Sequence, residues 1–264
     1  MKKLIVMIFG VSLFLTSECL GGTEGSEELK TSSSDYTVNE CFEGTSRAIF
    51  SFNQGLDKAI FKPISKGYRT LPLGFRKGTS NVVNNLRSLL TLSNNLLQAD
   101  FQGAGNTVGR FAINSTVGIL GIFDPAAYFG FEKRDREDFG QTLGYWGSGS
   151  GCYFVLPVLG PTTVRDTIGL VGNLFLDPVY QITHNTEVMN RSYSEHNYYY
   201  YRGTGAMDFR AKNIESFDSL EKNSMDLYAS FKSLYLQDRN KKIANSDTII
   251  DTQNDSDWEE IDSN

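Results

Sequence analysis

Apolar side chains recur along this chain at the spacing of a helix face far more often than at the spacing of a strand. Ile49, Phe52, Leu56 and Ile60 share one face of a helix over 46–62, and Pro63, which has no N–H to donate, is expected to stop it. Val82, Leu86, Leu89, Leu90, Leu96 and Leu97 predict a second helix over 76–98, and a third covers 103–116. A glycine-punctuated apolar stretch, Val117 to Phe123, ends at Asp124-Pro125. Residues 138–161 are rich in glycine, which predicts bends and close backbone contacts, and Pro161 suits the first position of a helix starting at Thr162. Phe217, Leu220, Leu227, Phe231 and Leu234 predict a long helix from about Asp208 to Arg239, after a tyrosine cluster at 193–203. Tyr153–Leu156 is a short run able to form a strand, but no alternating series accompanies it. The expected fold is mostly α with glycine-rich loops.

The two ends follow other rules. Met1-Lys2-Lys3 precedes an apolar run from Leu4 to Leu15, too short to span a bilayer and the right length for the core of a signal peptide over 1–18. Cys19 then stands where a bacterial lipoprotein is cut and acylated, although Glu18 occupies a position that usually holds a small residue. Simple secretion with cleavage near Gly21 or Gly22 is the other reading. Residues 19–41, rich in Gly, Ser, Thr and Glu, read as a flexible tether, and a helical domain is expected over 42–239. Residues 240–264 hold seven acids against Lys241 and Lys242 and read as a disordered acidic tail.

The chain has 264 residues and a formal net charge of −6, which argues against a nucleic-acid surface. With the tail set aside the body is close to neutral and does not oppose an anionic lipid surface. Catalytic signals are missing. The histidines, His184 and His196, read as surface residues, no Gly-x-Ser-x-Gly elbow occurs, and the glycines at 147–151 lack the Lys-Ser/Thr of a phosphate-binding loop. No metal-ligand spacing or cofactor motif is present, so neither an enzyme nor a cofactor is expected. Cys41 and Cys152 could pair in an oxidising compartment or remain as buried thiols.

A series of short motifs changes the picture. Ser46-Arg-Ala-Ile-Phe-Ser-Phe-Asn53, Gly78-Thr-Ser-Asn81, Asn94-Asn-Leu-Leu-Gln98, Gly109-Arg-Phe-Ala-Ile-Asn-Ser-Thr-Val-Gly118, Gly121-Ile-Phe-Asp124, Asp138-Phe-Gly-Gln-Thr-Leu-Gly144 and Leu156-Pro-Val-Leu-Gly-Pro161 follow one another in order. Together with Val164-Arg-Asp166 and Ser233-Leu-Tyr-Leu-Gln237 they closely resemble the MlaA/VacJ family of outer-membrane lipoproteins, over about residues 42–239. Ser46 departs from the family's usual Asn and Cys41 from its usual Pro. The resemblance implies a single ring-shaped helical domain, partly embedded in the periplasmic leaflet of a Gram-negative outer membrane. It implies removal of mislocalised phospholipid from the outer leaflet through a central channel, delivery to a soluble periplasmic lipid-carrier protein, and a place beside trimeric porins. The competing readings are a structural adaptor that scaffolds porins without transport and, third, a lipid-cleaving enzyme.

Particular residues can be matched to that task. Moving a headgroup past acyl chains requires polar groups or water to replace its hydration. Asn53, Asn81, Asn95, Gln98, Arg110, Asn114 and the neighbouring Phe52 are channel or lipid-contact candidates. Arg110 and Asn114, four apart, share a helix face, and Arg110 is expected to pair with Asp138 or Asp166 or to meet the phosphate. Arg110, Asp138, Arg165 and Asp166 are the structural ion-pair candidates. Phe50, Phe52, Gly118 and Gly121 are candidates for a gating region, and Cys19 is the candidate lipid anchor.

Overall fold

The computed structural model describes residues 38–184 and 196–245. The signal peptide, Cys19, most of the tether and most of the acidic tail lie outside the described residues.

Helix α1 (Glu43–Leu56) does not stop at Pro63. It runs through a π turn at Asp57–Phe61 into α2 (Lys62–Arg69). In that turn the Lys62 N–H reaches back five residues to the Asp57 carbonyl. The wider turn gives the proline ring room beside the preceding turn, so the helix survives where a regular one would break. Pro72, extended at ψ 143°, then leads into α3 (Leu73–Leu97), and α4 (Phe101–Thr116) follows. Asp100 caps α4 by accepting the Gly103 N–H at 2.8 Å. Beyond α4, Ile119 (φ 52°) and Leu120 (φ 55°) form a left-handed turn that leaves both side chains outside. A 3-10 turn at Pro125–Ala127 and an irregular loop lead to α5 (Phe139–Tyr145), capped by Asp138.

The short apolar run forms β1 (Tyr153–Leu156), paired antiparallel with β2 (Gly160–Thr163) so that Tyr153 faces Thr163 and Leu156 faces Gly160. Pro161 therefore sits inside a strand, contrary to its expected helical place. Helix α6 (Val164–Leu176) begins later, because Thr163 offers an acceptor for the Asp166 N–H at 3.2 Å and caps the helix there. Helices α5 and α6 meet at bare backbone: a Cβ on Gly169 would lie 2.5 Å from the Gly140 nitrogen, so no side chain fits at that crossing. Helix α7 (Pro178–His184) follows.

The expected long C-terminal helix is three: α8 (His196–Lys212), α9 (Ile214–Asn223) and α10 (Leu227–Ile243). The Asn213 side chain donates to the Phe209 carbonyl at 2.8 Å, and Ser224 turns extended at ψ 133°. Asp226 then caps α10 through the Ala229 N–H at 3.1 Å. Side chains that bond locally to backbone end helices that apolar spacing alone would carry through. Helix α10 also continues to Ile243, into the segment expected to be tail.

At the other end, the last residues of the expected tether form a strap on the hairpin. The Tyr153 N–H donates to the Asn39 carbonyl at 2.9 Å, and the Cys41 N–H to the Tyr153 carbonyl at 3.2 Å. Cys41 and Cys152 form a disulfide with Cα atoms 5.4 Å apart. The core beneath is aromatic: Phe50, Tyr153, Val155 and Tyr228 are buried, with Ile49, Phe231, Tyr235 and Leu236 packed against them. Phe50 meets Tyr228 and Phe231 edge-on at 5.5 and 5.4 Å and is part of this aromatic packing.

Helices α3 and α4 reverse that order. The buried face of α3 is mostly polar, with Arg76, Ser80, Asn85, Thr91, Asn94 and Asn95 beside Val83 and Leu90, whereas Phe75, Leu96 and Leu97 are exposed. On α4, Thr107 and Asn114 are buried and Phe101 and Val108 are exposed. In water the usual sorting is the opposite.

Candidate functional site

The polar faces of α3 and α4 open onto a cavity of about 470 Å³. Asn81, Asn84, Asn85, Ser88 and Thr91 line it from α3, and Asn106, Thr107, Arg110 and Asn114 from α4. Both sets recur every three or four residues, so each is one stripe of a helix. The loop before α5 adds Lys133, Arg134, Asp135 and Arg136, and Phe209, Lys212, Asn213 and Lys242 complete the lining. Six bases line the wall against two carboxylates, Asp124 and Asp135; Arg110, Arg134, Lys212 and Lys242 are in ion pairs with Asp124, Asp100, Asp208 and Asp238, so the positive excess rests on Lys133 and Arg136.

Arg110 lies on this wall but pairs with neither Asp138 nor Asp166. It donates to Asp124 at 2.6 Å and to the Phe131 carbonyl at 2.6 Å. Asn114 donates to the other Asp124 oxygen at 2.8 Å and accepts the Ala126 N–H at 3.1 Å. Asp124 lies in the segment that folds back after α4, eight residues beyond its end, and so meets Arg110. Asn81, also on the wall, donates to the Ile122 carbonyl at 3.0 Å. These three candidates share the cavity while bracing the turn after α4.

The remaining candidates lie elsewhere. Asn53 holds the hairpin turn, donating to the Leu156 carbonyl at 2.9 Å and accepting the Val158 N–H at 2.8 Å. Asn95 ties α3 to α4 through Thr107 at 3.2 Å. Gln98, buried, donates to Glu137 at 2.9 Å and Thr142 at 3.1 Å. Phe52 is exposed on α1, away from the cavity lining.

Asp138 and Asp166 converge on Arg239 of α10, which donates to them at 2.6 and 2.7 Å. Tyr235 one turn earlier also donates to Asp166 at 2.5 Å, and Arg165 joins it at 3.1 Å. Burial raises both carboxyls, but the Arg239 guanidinium outweighs it and holds each below the usual carboxylate range. This clasp ties the C-terminal helix to the starts of α5 and α6. Next to it, burial pushes Glu137 up to about 7, opposed by the Gln98 hydrogen bond. Arg239 and Glu137 were not singled out by sequence spacing. The polar stripes at 84, 88, 91 and at 106, 107 were readable signals, since they share the helical period of the apolar stripes opposite.

The outside is unusually apolar. Phe101 (73%), Leu120 (76%), Tyr128 (93%) and Trp146 (66%) are among many large apolar side chains left exposed. Among the described residues, no helix is long and apolar enough to cross a membrane.

The model of the MlaA lipoprotein family matches residues 38–242, nearly all the described chain. The chain belongs to the MlaA lipoprotein family. It is 36% identical over 210 residues to an uncharacterised protein of Rickettsia bellii, covering 78% of this chain and 77% of that one. It is 30% identical over 217 residues to a protein of Escherichia coli K12 named intermembrane phospholipid transport system lipoprotein MlaA, covering 80% and 81% of the two chains. A Haemophilus influenzae protein of the same name is 28% identical over 209 residues, with 78% and 79% covered. The fold is similar to that of a solved chain from work on the structural basis for maintenance of bacterial outer membrane lipid asymmetry. The TM-score is 0.65 at 28% identity, covering 78% of this chain and 99% of that one. The mostly α architecture is thus that of this family.

Proposed function

We propose that the protein is an outer-membrane phospholipid-transport lipoprotein, a ring lying in one leaflet, whose polar cavity carries lipid headgroups towards the periplasm while acyl chains remain in the membrane. The observation that carries this reading is the inversion of α3 and α4: amides, hydroxyls and bases face a cavity, and phenylalanine and leucine face outward. A phosphate passing through apolar surroundings needs replacement for its water, and a hydrated polar wall with excess positive charge supplies it. Helices that are not both long and apolar enough to span, among the described residues, fit embedding in a single leaflet through their apolar faces. A lipid-modified Cys19 would hold the body at the membrane by the tether. A soluble periplasmic carrier would receive the lipid, and trimeric porins would flank the ring.

The test uses a Gram-negative strain lacking its own family member, with outer-leaflet phospholipid measured by its accessibility to an added phospholipase. Expression of this chain should lower that pool. Cys19→Ala should lower it less, through loss of the anchor. An unchanged pool at normal expression would leave the scaffolding role in place of transport.

A further inference from the structure

We propose that Arg136 and Lys133, backed by Arg87, form a phosphate subsite on the cavity wall that takes a pair of anionic phosphate oxygens. It rests on the lipid-passage reading and names the point at which a headgroup pauses.

The loop before α5 presents Lys133, Arg134, Asp135 and Arg136 to the cavity. Arg134 is engaged with Asp100 at 3.0 Å. Among the described residues, neither Lys133 nor Arg136 forms an ion pair. Arg136 donates to the Asn84 side-chain oxygen, a neutral acceptor that leaves its charge intact. Arg136 keeps solvent access through the cavity, although protein crowds its far side. Its planar fork suits two phosphate oxygens at once, and the Ser88 hydroxyl lines the same wall.

Behind it, on α3, lies Arg87. Its Nε is buried without an acceptor among the described residues, and the Tyr201 hydroxyl lies near it. Room for this guanidinium is built in: a Cβ on Gly205 of α8 would lie 2.9 Å from the Arg87 Nη2. Two nearby carboxylates, Asp177 and Asp208, offset part of the charge without forming an ion pair with either guanidinium among the described residues. Asp208 is shared by Lys212 at 3.3 Å and Tyr68 at 3.3 Å, and Asp177 accepts the Val179 N–H at 3.0 Å. Asp135 lines the cavity beside the subsite, and Arg202 adds to the positive field. Burial, then the neighbouring Arg87 charge, pulls Arg136 down to about 10, and burial lowers Arg87 as well. Two neighbouring guanidiniums, one of them open to the cavity and neither in an ion pair among the described residues, are what an incoming anion relieves.

The oxygen pair could belong to a phospholipid diester or to free phosphate. Full-length protein in detergent is titrated with dihexanoylphosphatidylglycerol, and separately with inorganic phosphate, and binding is read by phosphorus NMR. Arg136→Gln should weaken binding about tenfold or more, Arg136→Lys less, and Lys133→Gln a few-fold, as expected for loss of charge-assisted bonds. Lys222→Gln, on the exposed end of α9, should bind as wild type. Lipid binding without phosphate binding assigns the site to the headgroup; equal response to phosphate assigns it to the free ion, and the site stands in both cases. Wild-type binding by both folded Arg136 variants and by Lys133→Gln overturns the subsite and leaves the passage reading intact. A wild-type chain that binds no lipid while transport also fails removes both.

Discussion

Two regions of the molecule obey opposite rules of burial. Around the hairpin, Phe50, Tyr153, Val155 and Tyr228 hide from solvent and pack edge to face. Along α3 and α4, Asn94, Asn95 and Thr107 are inside while Phe101 and Leu97 are outside. The aromatic end is sorted as water sorts a protein. The α3–α4 wall turns many polar side chains inward and several large apolar ones outward, so hydrophobicity there marks the outside. The difference gives the membrane reading its physical content, and it can be attacked at several points.

The strongest blow falls at the clasp, where α10 of the aromatic end meets α5 and α6. Arg239→Met leaves Asp138 and Asp166 facing each other without their cation, and should cost about 3–5 kcal/mol in denaturant unfolding. Phe50→Ala should cost about 3 kcal/mol by the same measurement, because it opens a cavity among packed rings. Its counterpart Leu120→Ala should change stability in detergent by less than about 0.5 kcal/mol, since its side chain is largely exposed. That variant should instead weaken association with vesicles; a stability loss equal to that of Phe50→Ala would break the contrast.

The disulfide comes next. Cys41 and Cys152 close a separation of 111 residues, so replacing both with serine should cost about 2–3 kcal/mol. The wild type should show the same loss in reductant and the double variant should not respond. The last effect depends on pH and falls on Glu137. Its carboxyl is raised from 4.5 to about 7, so its contribution is fully present below 4.5 and is lost as pH rises through 7. Glu137→Gln should remove a decline of up to about 3 kcal/mol across that window. Asp138 and Asp166 act in the other direction, stabilising above 3.8 and losing that contribution as pH falls. Melting temperatures of both proteins between pH 4 and 8 separate the two.

Much of the helical plan was legible because α1, α3 and α4 carry periodic apolar residues, and periodicity is the same whether the apolar face meets protein or lipid. Which face turns inward was not legible from hydrophobicity, and the interior is instead marked by amides at 81, 84, 85, 106 and 114. The breaks at Asn213 and Ser224 and the passage through Pro63 depend on local hydrogen bonding and a π turn, which apolar spacing does not encode. Arg110 was rightly seen as needing a partner, but the pairing with Asp124 depends on the turn after α4. Arg239 joins residues far apart in the chain and has no local signature.

The central claim is that the cavity between α3 and α4 is the path of the lipid. Ser88→Trp places a large ring in that cavity without touching the aromatic core or the clasp. The measurement is outer-leaflet phospholipid in a strain dependent on this chain, at matched protein levels. The account predicts that Ser88→Trp folds, reaches the membrane and leaves the phospholipid pool as high as in the strain without the protein. A pool lowered as far as by the wild type would contradict it.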